Sequence, residues 1–304
     1  VSVPVLLVTG FLGAGKTTFI NRVLEGDHGL RIAAIVNDFG SINIDAALLD
    51  RSAEGVIGLK NGCICCSLQG DLMRTLKLVL ARAPKPELIV IEASGVADPA
   101  GIVQSLMDPV IWAQARLETV IGIVDAPDAP RRKDDPLWQA QLRGSDILFL
   151  SKTTDSTPEE VTALRAALSV QGKKHIFDME TPIPLPALFI EEGHKRGRVM
   201  ASPHSDSRFI HVEWEHDGPL DMHAFQETMS RLAGVLLRGK GFVSFTGRAD
   251  RMLFQLVGNR AALSPEPSNG EKGCKLVLIG ERGEFDPDAA LRALNGLRAR
   301  DTKA

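Results

Sequence analysis

Cysteine is scarce, with four residues in a chain of 304. That is too few for a disulfide framework, and a reducing cytoplasm would keep them as thiols. An excess of one charge is also missing. Net charge is −3 with both signs interspersed, which argues against a large polyanion-binding surface and so against a nucleic-acid partner. The basic stretches RRK at 131–133 and KRGR at 195–198 read as solvated loops. No apolar run reaches the length of a membrane span, and no charged n-region precedes a cleavable apolar stretch. A cytoplasmic protein without membrane contact is the expectation, its numbering starting on a processed or trimmed chain because residue 1 is Val. Histidine forms no rich tract. Of seven, His204, His211, His216 and His223 come nearest to a group, and period-two counting puts His211 and His216 on opposite faces of a strand. Ordinary surface histidines explain them.

What remains is a globular composition, 44% hydrophobic and 24% charged, able to bury a core without staples. Apolar runs recur as VPVLLVT, RIAAIVN, ELIVIEA, TVIGIVD, DILFLS and KKHIFDM. Amphipathic segments separate them at 17–25, 68–82, 99–115, 136–143 and 158–170, three of them opening on Pro as helices often do. The alternation predicts an α/β fold, a parallel sheet with helices on both faces, over 1–192. A polar, basic linker is expected at 193–207, where apolar periodicity stops. A smaller α+β domain over 208–304 follows: the alternating FIHVEWEH, a helix over 220–237, the runs GFVSF, MLFQLVG and CKLVLIG, and a closing helix over 287–298.

GFLGAGKT, residues 10–17, matches G-x-x-x-x-G-K-[ST] after a predicted strand and at the start of a helix. Gly10, Phe11, Leu12, Gly13, Ala14 and Gly15 would turn backbone N–H groups onto phosphate oxygens, and the helix N-terminus adds partial positive charge. Lys16 would neutralise the β- and γ-phosphates and Thr17 would ligate Mg²⁺, with Thr18 next to them. ELIVIEASG ends a strand on Glu92, the position of a carboxylate that orients Mg²⁺, and Gly95 follows where an N–H can sense the γ-phosphate. Asp38, in VNDFG, falls in the expected switch region and can reach Mg²⁺ through water or serve a neighbouring metal.

NGCICCS packs Cys63, Cys65 and Cys66 into four positions. Three thiolates in one turn suit Zn²⁺ or Co²⁺, leaving one tetrahedral position for Asp38, another polar residue, water or a client side chain. A redox pair and a structural role are the alternatives. Cys274, alone in a predicted strand, reads as buried core.

Together GFLGAGKTT, VNDFG, GCICC and IEASGVADP, with VLLRGKGFVSF, MLFQLVGNR and KLVLIG downstream, resemble the CobW-like family of P-loop GTPases over almost the whole chain. These are metallochaperones related to the urease- and hydrogenase-maturation GTPases. The resemblance implies GTP-dependent binding of zinc or cobalt near the C-x-C-C thiolates and delivery to a client metalloprotein or cofactor pathway, by a monomer or homodimer. The residues that implication covers are 10–17 for phosphates and Mg²⁺ and Cys63, Cys65 and Cys66 for the carried metal. One departure concerns the base. The family reads guanine with N-K-x-D, whereas this chain has Ser151, Lys152, Thr153 and Thr154, with Asp155 one residue later. A Thr hydroxyl is a weaker acceptor for guanine than a carboxylate; Lys152 can still stack its stem on a purine. GTP is the expected nucleotide, with ATP or loose purine selectivity as the alternative. Competing functions are a nucleotide-switched metal sensor and a P-loop kinase or ligase acting on a small molecule.

Overall fold

Seven strands, β1 (Val3–Gly10), β2 (Ile32–Asn37), β3 (Val56–Leu59), β4 (Leu88–Glu92), β5 (Ala115–Asp125), β6 (Ile147–Ser151) and β7 (Ile176–Asp178), form a sheet in the order β3-β2-β4-β1-β5-β6-β7. Every pairing is parallel. The computed structural model describes residues 2–26, 29–37, 56–59, 67–189, 208–258, 260–266 and 273–298. The expected linker, 193–207, lies outside them.

The strands read as continuous apolar runs because both faces are covered. All five residues of β4 and of β6 are buried. On one face Phe19 of helix Lys16–Glu25 meets Phe149 with ring centroids 4.9 Å apart, and Phe149 meets Phe177 at 5.4 Å. The opposite alternation, Val5, Leu7, Ile89 and Ile91, packs against Leu72, Leu76 and Val79 of helix Ser67–Leu80 and Leu106 of helix Pro99–Leu106. Leu148 and Leu150 meet Trp138 and Leu142 of helix Pro136–Gly144 and Leu168 of helix Pro158–Val170. From β1 the chain crosses to β2 on one side; from β4 it crosses back over β1 to β5 on the other. The order therefore reverses at β1, and the crevice beyond its carboxyl end is where such a sheet binds ligands.

The chain divides into two units, Val1–Met200 and Ala201–Ala304. The second holds an antiparallel sheet of β8 (Phe209–His216), β9 (Leu236–Val243), β10 (Arg251–Val257), β11 (Arg260–Glu266) and β12 (Cys274–Glu281), ordered β11-β10-β9-β12-β8. Helices Met222–Leu232 and Pro287–Arg298 cover one face, with Phe225, Met229, Leu294 and Leu297 against Val212, Trp214, Phe254 and Leu278. Gly241 lets β9 and β12 approach: a Cβ there would collide with the Lys275 carbonyl and stand 2.7 Å from the Leu276 Cα. Gly241→Ala should destabilise this unit by about 3 kcal/mol or more, read as a lowered denaturation midpoint.

Two expected helices are shorter than their apolar patterns. The segment 99–115 is broken into Pro99–Leu106 and Pro109–Trp112, because Asp108, extended before a proline, accepts from the Val110 N–H and starts a new helix. The segment 220–237 is helical only over Met222–Leu232. Asp221 caps its start, Ala233 closes its end with its N–H on the Met229 carbonyl, and Leu236 and Leu237 belong to β9. Strands β3 and β11 were not anticipated. The first has four residues; the second, RAALSPE, is an edge strand whose Pro265 is tolerated there.

Candidate functional site

The crevice at the end of β1 is lined by glycine for steric reasons. Gly10 has φ 145°, and a Cβ on it would lie 2.5 Å from the Ile123 carbonyl oxygen. Gly13 and Gly15 have φ 73° and 95°, left-handed backbone that other residues adopt only under strain. Gly15 is the N-cap of helix Lys16–Glu25, and no side chain caps it. The first-turn N–H groups, with the positive end of the helix dipole, are thus left for an anion. Lys16 is buried, and its Nζ donates to the Phe11 carbonyl at 3.1 Å. A strong cation is held inside the concavity.

Glu92 ends β4 beside Val8 of β1 and is buried. The Thr17 hydroxyl lies 3.3 Å from each of its carboxylate oxygens. A hydroxyl and a carboxylate at the lip of a phosphate loop are hard oxygen donors of the kind Mg²⁺ takes, so this pair fits that ion. Gly95, three residues on, lies against the loop: its Cβ would stand 2.9 Å from the Leu12 nitrogen and 3.0 Å from its Cα. The buried Gln141 holds that turn, its Nε2 donating to the carbonyls of Gly95 at 3.1 Å and Ala97 at 3.2 Å.

The ends of β6 and β7 close the other side. The Ser151 hydroxyl donates to the Ala14 carbonyl at 2.7 Å, and Ser151 and Met179 both stand beside Gly15. Lys152, at φ 55°, forms an ion pair with Asp125 at the end of β5. The Thr153 hydroxyl donates to Asp178 at 3.0 Å. Thr18 and Thr154 are exposed. Asp155 instead lines a cavity of about 450 Å³ with Ala126, Pro127, Trp138 and Leu164.

Two contributors escaped the sequence reading. Gln141 carries no motif, and only the fold brings it to Gly95. Arg132, in the stretch read as a solvated loop, lies 4.2 Å over the Phe11 ring. Its Nε donates to Asp128 at 2.7 Å, and that hydrogen bond raises the guanidinium above its usual pKa. Arg132→Ala should lower stability by about 0.5–1 kcal/mol, the contribution of an exposed cation–π contact, read as a lowered denaturation midpoint.

Asp38, Cys63, Cys65 and Cys66 lie outside the described residues. Among the described residues no three His, Cys, Asp or Glu come together as a metal group. His211 pairs with Ile279 and His216 with Cys274, an odd and an even position of β8 facing opposite ways. Cys274 is buried, its Sγ 3.5 Å from the Gly218 carbonyl. Cys274→Ala should therefore leave metal stoichiometry unchanged and cost only about 1 kcal/mol of stability, which metal analysis and a denaturation curve would check. No described helix is long and apolar enough to cross a membrane.

A family model described as "CobW/HypB/UreG, nucleotide-binding domain" matches residues 4–177, and one described as "Cobalamin synthesis protein cobW C-terminal domain" matches 209–298. The chain is 30% identical to the zinc chaperone CobW of Pseudomonas aeruginosa, over 96% of this chain and 90% of that protein. It is 32% identical to the zinc chaperone YjiA of Escherichia coli, over 84% and 86%. The crystal structure of Zn(II)-bound YjiA GTPase from E. coli aligns at a TM-score of 0.47 and 25% identity, covering 98% of this chain and 99% of that one.

Proposed function

The chain belongs to the CobW/HypB/UreG family, and from that premise we propose that it binds and hydrolyses GTP to control a site that carries zinc, or cobalt, to a client. The nucleotide half of the reading rests on the loop from Gly10 to Thr17 with Glu92 and Gly95 beside it. Lys16 and the loop amides would stabilise the charge that spreads over the phosphate oxygens during in-line attack by water. Thr17 and Glu92 would hold Mg²⁺, which when bound neutralises charge on the triphosphate. Ser151 and Lys152 would flank the base.

The metal is cargo, and Cys63, Cys65 and Cys66 are its ligands. Thiolates suit Zn²⁺ and Co²⁺, and a fourth position left to an exchangeable ligand is what transfer requires. The observation that carries the coupling is the parallel sheet itself. Strands β1, β2, β3 and β4 all end at one edge, so Gly10, Asn37, Leu59 and Glu92 leave the sheet on the same side. Cys63 follows Leu59 by four residues, and helix Ser67–Leu80 starts directly after Cys66. With strands about 4.8 Å apart, the end of β3 lies roughly 14 Å from that of β1. Strand β2 ends on Asn37 between the two, and Asp38 is the next residue in the sequence. A γ-phosphate that orders this segment would alter the metal site, and linkage makes the effect reciprocal.

Turnover should be slow alone and faster with zinc or client. Phosphate release measured with and without each, on the Mg²⁺-bound protein, tests the reading; turnover with metal bound but never passed to an apo-client would favour a sensor over a chaperone.

A further inference from the structure

The chain lacks the carboxylate at residue 154 that would read guanine, and the geometry points to Glu180 as its replacement. The inference rests on the GTP reading above. Thr154 and Glu180 follow neighbouring parallel strands, β6 and β7, at the edge where the phosphate loop lies. The two segments are joined through Asp178, which accepts from the Thr153 hydroxyl at 3.0 Å and from the Glu180 N–H at 2.9 Å through the same oxygen, Oδ1. Residues on either side of Glu180 are tied to the nucleotide helix. Met179 stands beside Gly15, and the Thr181 carbonyl accepts from Arg22 of helix Lys16–Glu25 at 3.2 Å. Residues 179 and 181 are therefore held beside that helix, with Glu180 between them.

Guanine presents two adjacent donors, N1–H and the exocyclic amine, and one carboxylate can accept both. The uncharged Thr154 hydroxyl accepts more weakly. The other nearby carboxylates are engaged or turned elsewhere. Asp125 is paired with Lys152, Glu160 closes the capping box of its own helix with Thr157, and Asp155 lines the separate cavity. Asp178 is committed to joining the two segments. Glu180 is exposed, and its carboxylate makes no hydrogen bond or ion pair among the described residues. Its arm is one methylene longer than that of Asp, which makes up part of the spacing of about 4.8 Å between neighbouring strands. Lys152 flanks the same slot and offers its stem to the purine face. Glu180 would thus determine base specificity without touching the reacting phosphates.

The test is competition titration of GTP, ITP, XTP and ATP against the full-length, Mg²⁺-loaded protein and its E180Q variant. Xanthine carries an oxygen where guanine carries the amine, so a Gln amide can donate to it while still accepting from N1–H. The parent should prefer GTP, bind ITP more weakly for want of the amine, and reject ATP. E180Q should lose roughly 10- to 100-fold in GTP affinity and gain for XTP, and Thr154→Asp added to E180Q should return the preference to GTP. A purely structural role for Glu180 would not exchange one base for another. E180Q retaining the parent's ratio of GTP to XTP, or losing all four nucleotides equally, overturns the assignment. A parent that binds ATP as well as GTP overturns instead the guanine reading beneath it.

Discussion

Lys16→Ala is expected to abolish detectable GTP turnover and to weaken triphosphate binding by at least roughly 100-fold, while the fold survives. The ammonium is buried and held by the Phe11 carbonyl at 3.1 Å, inside a loop whose other donors are backbone amides. Loss of a charged donor in such a site costs about 3 kcal/mol or more in the transition state. The folded protein loses the hydrogen bond to Phe11, about 1 kcal/mol, and the burial of a cation, which offsets part of that loss. Calorimetric titration of GTP with a phosphate-release assay reads the first effect; a thermal midpoint within a few degrees of the parent's confirms the second. Alanine at Gly95 should behave differently, because its Cβ would press on the Leu12 backbone. It should impair triphosphate more than diphosphate, the group missing from the diphosphate being the one the proposed role of Gly95 would sense.

The second large effect is expected from replacing Cys63, Cys65 and Cys66 together by alanine. The tight equivalent of zinc should be lost, with affinity falling by more than roughly 1000-fold, because a thiolate-held zinc contributes on the order of 10 kcal/mol at neutral pH. Nucleotide affinity in the absence of metal should stay as in the parent, since Lys16 bonds Phe11 of the phosphate loop and Thr17 meets Glu92 at the end of β4. A chelator competition assay measures the loss. Zinc binding in the parent should also weaken as pH falls, because free thiols titrate near 8.5 and each ligand must lose its proton first. Tight stoichiometric zinc in the triple variant would place the site elsewhere.

How much of this was legible without coordinates depends on how local each feature is. The phosphate loop is a strand, five residues and a helix in succession, so its pattern and its geometry coincide. Glu92 was legible because an apolar run that ends on an acid marks a strand end, and a parallel sheet brings strand ends together. The contacts of Gln141 with Gly95 and of Arg132 with Phe11 span long stretches of chain. Nothing in the spacing of those residues encodes them. Helix boundaries failed where local chemistry overrides an apolar pattern: Asp108–Pro109 restarts a helix, and another stops at Leu232 before leucines that a strand then uses. The loop after β6 lay between these cases. Thr154 in place of a carboxylate was visible in the sequence, whereas the bond from Thr153 to Asp178 forms only through the pairing of β6 with β7.

The central claim is that nucleotide governs the metal site, and the most direct measurement is zinc affinity by chelator competition in three states. These are the protein without nucleotide, with GDP, and with a non-hydrolysable GTP analogue and Mg²⁺. Coupling free energies between sites are typically about 1–3 kcal/mol, so the GDP and GTP-analogue states should differ by roughly tenfold or more. Zinc affinity identical in all three states would contradict the account.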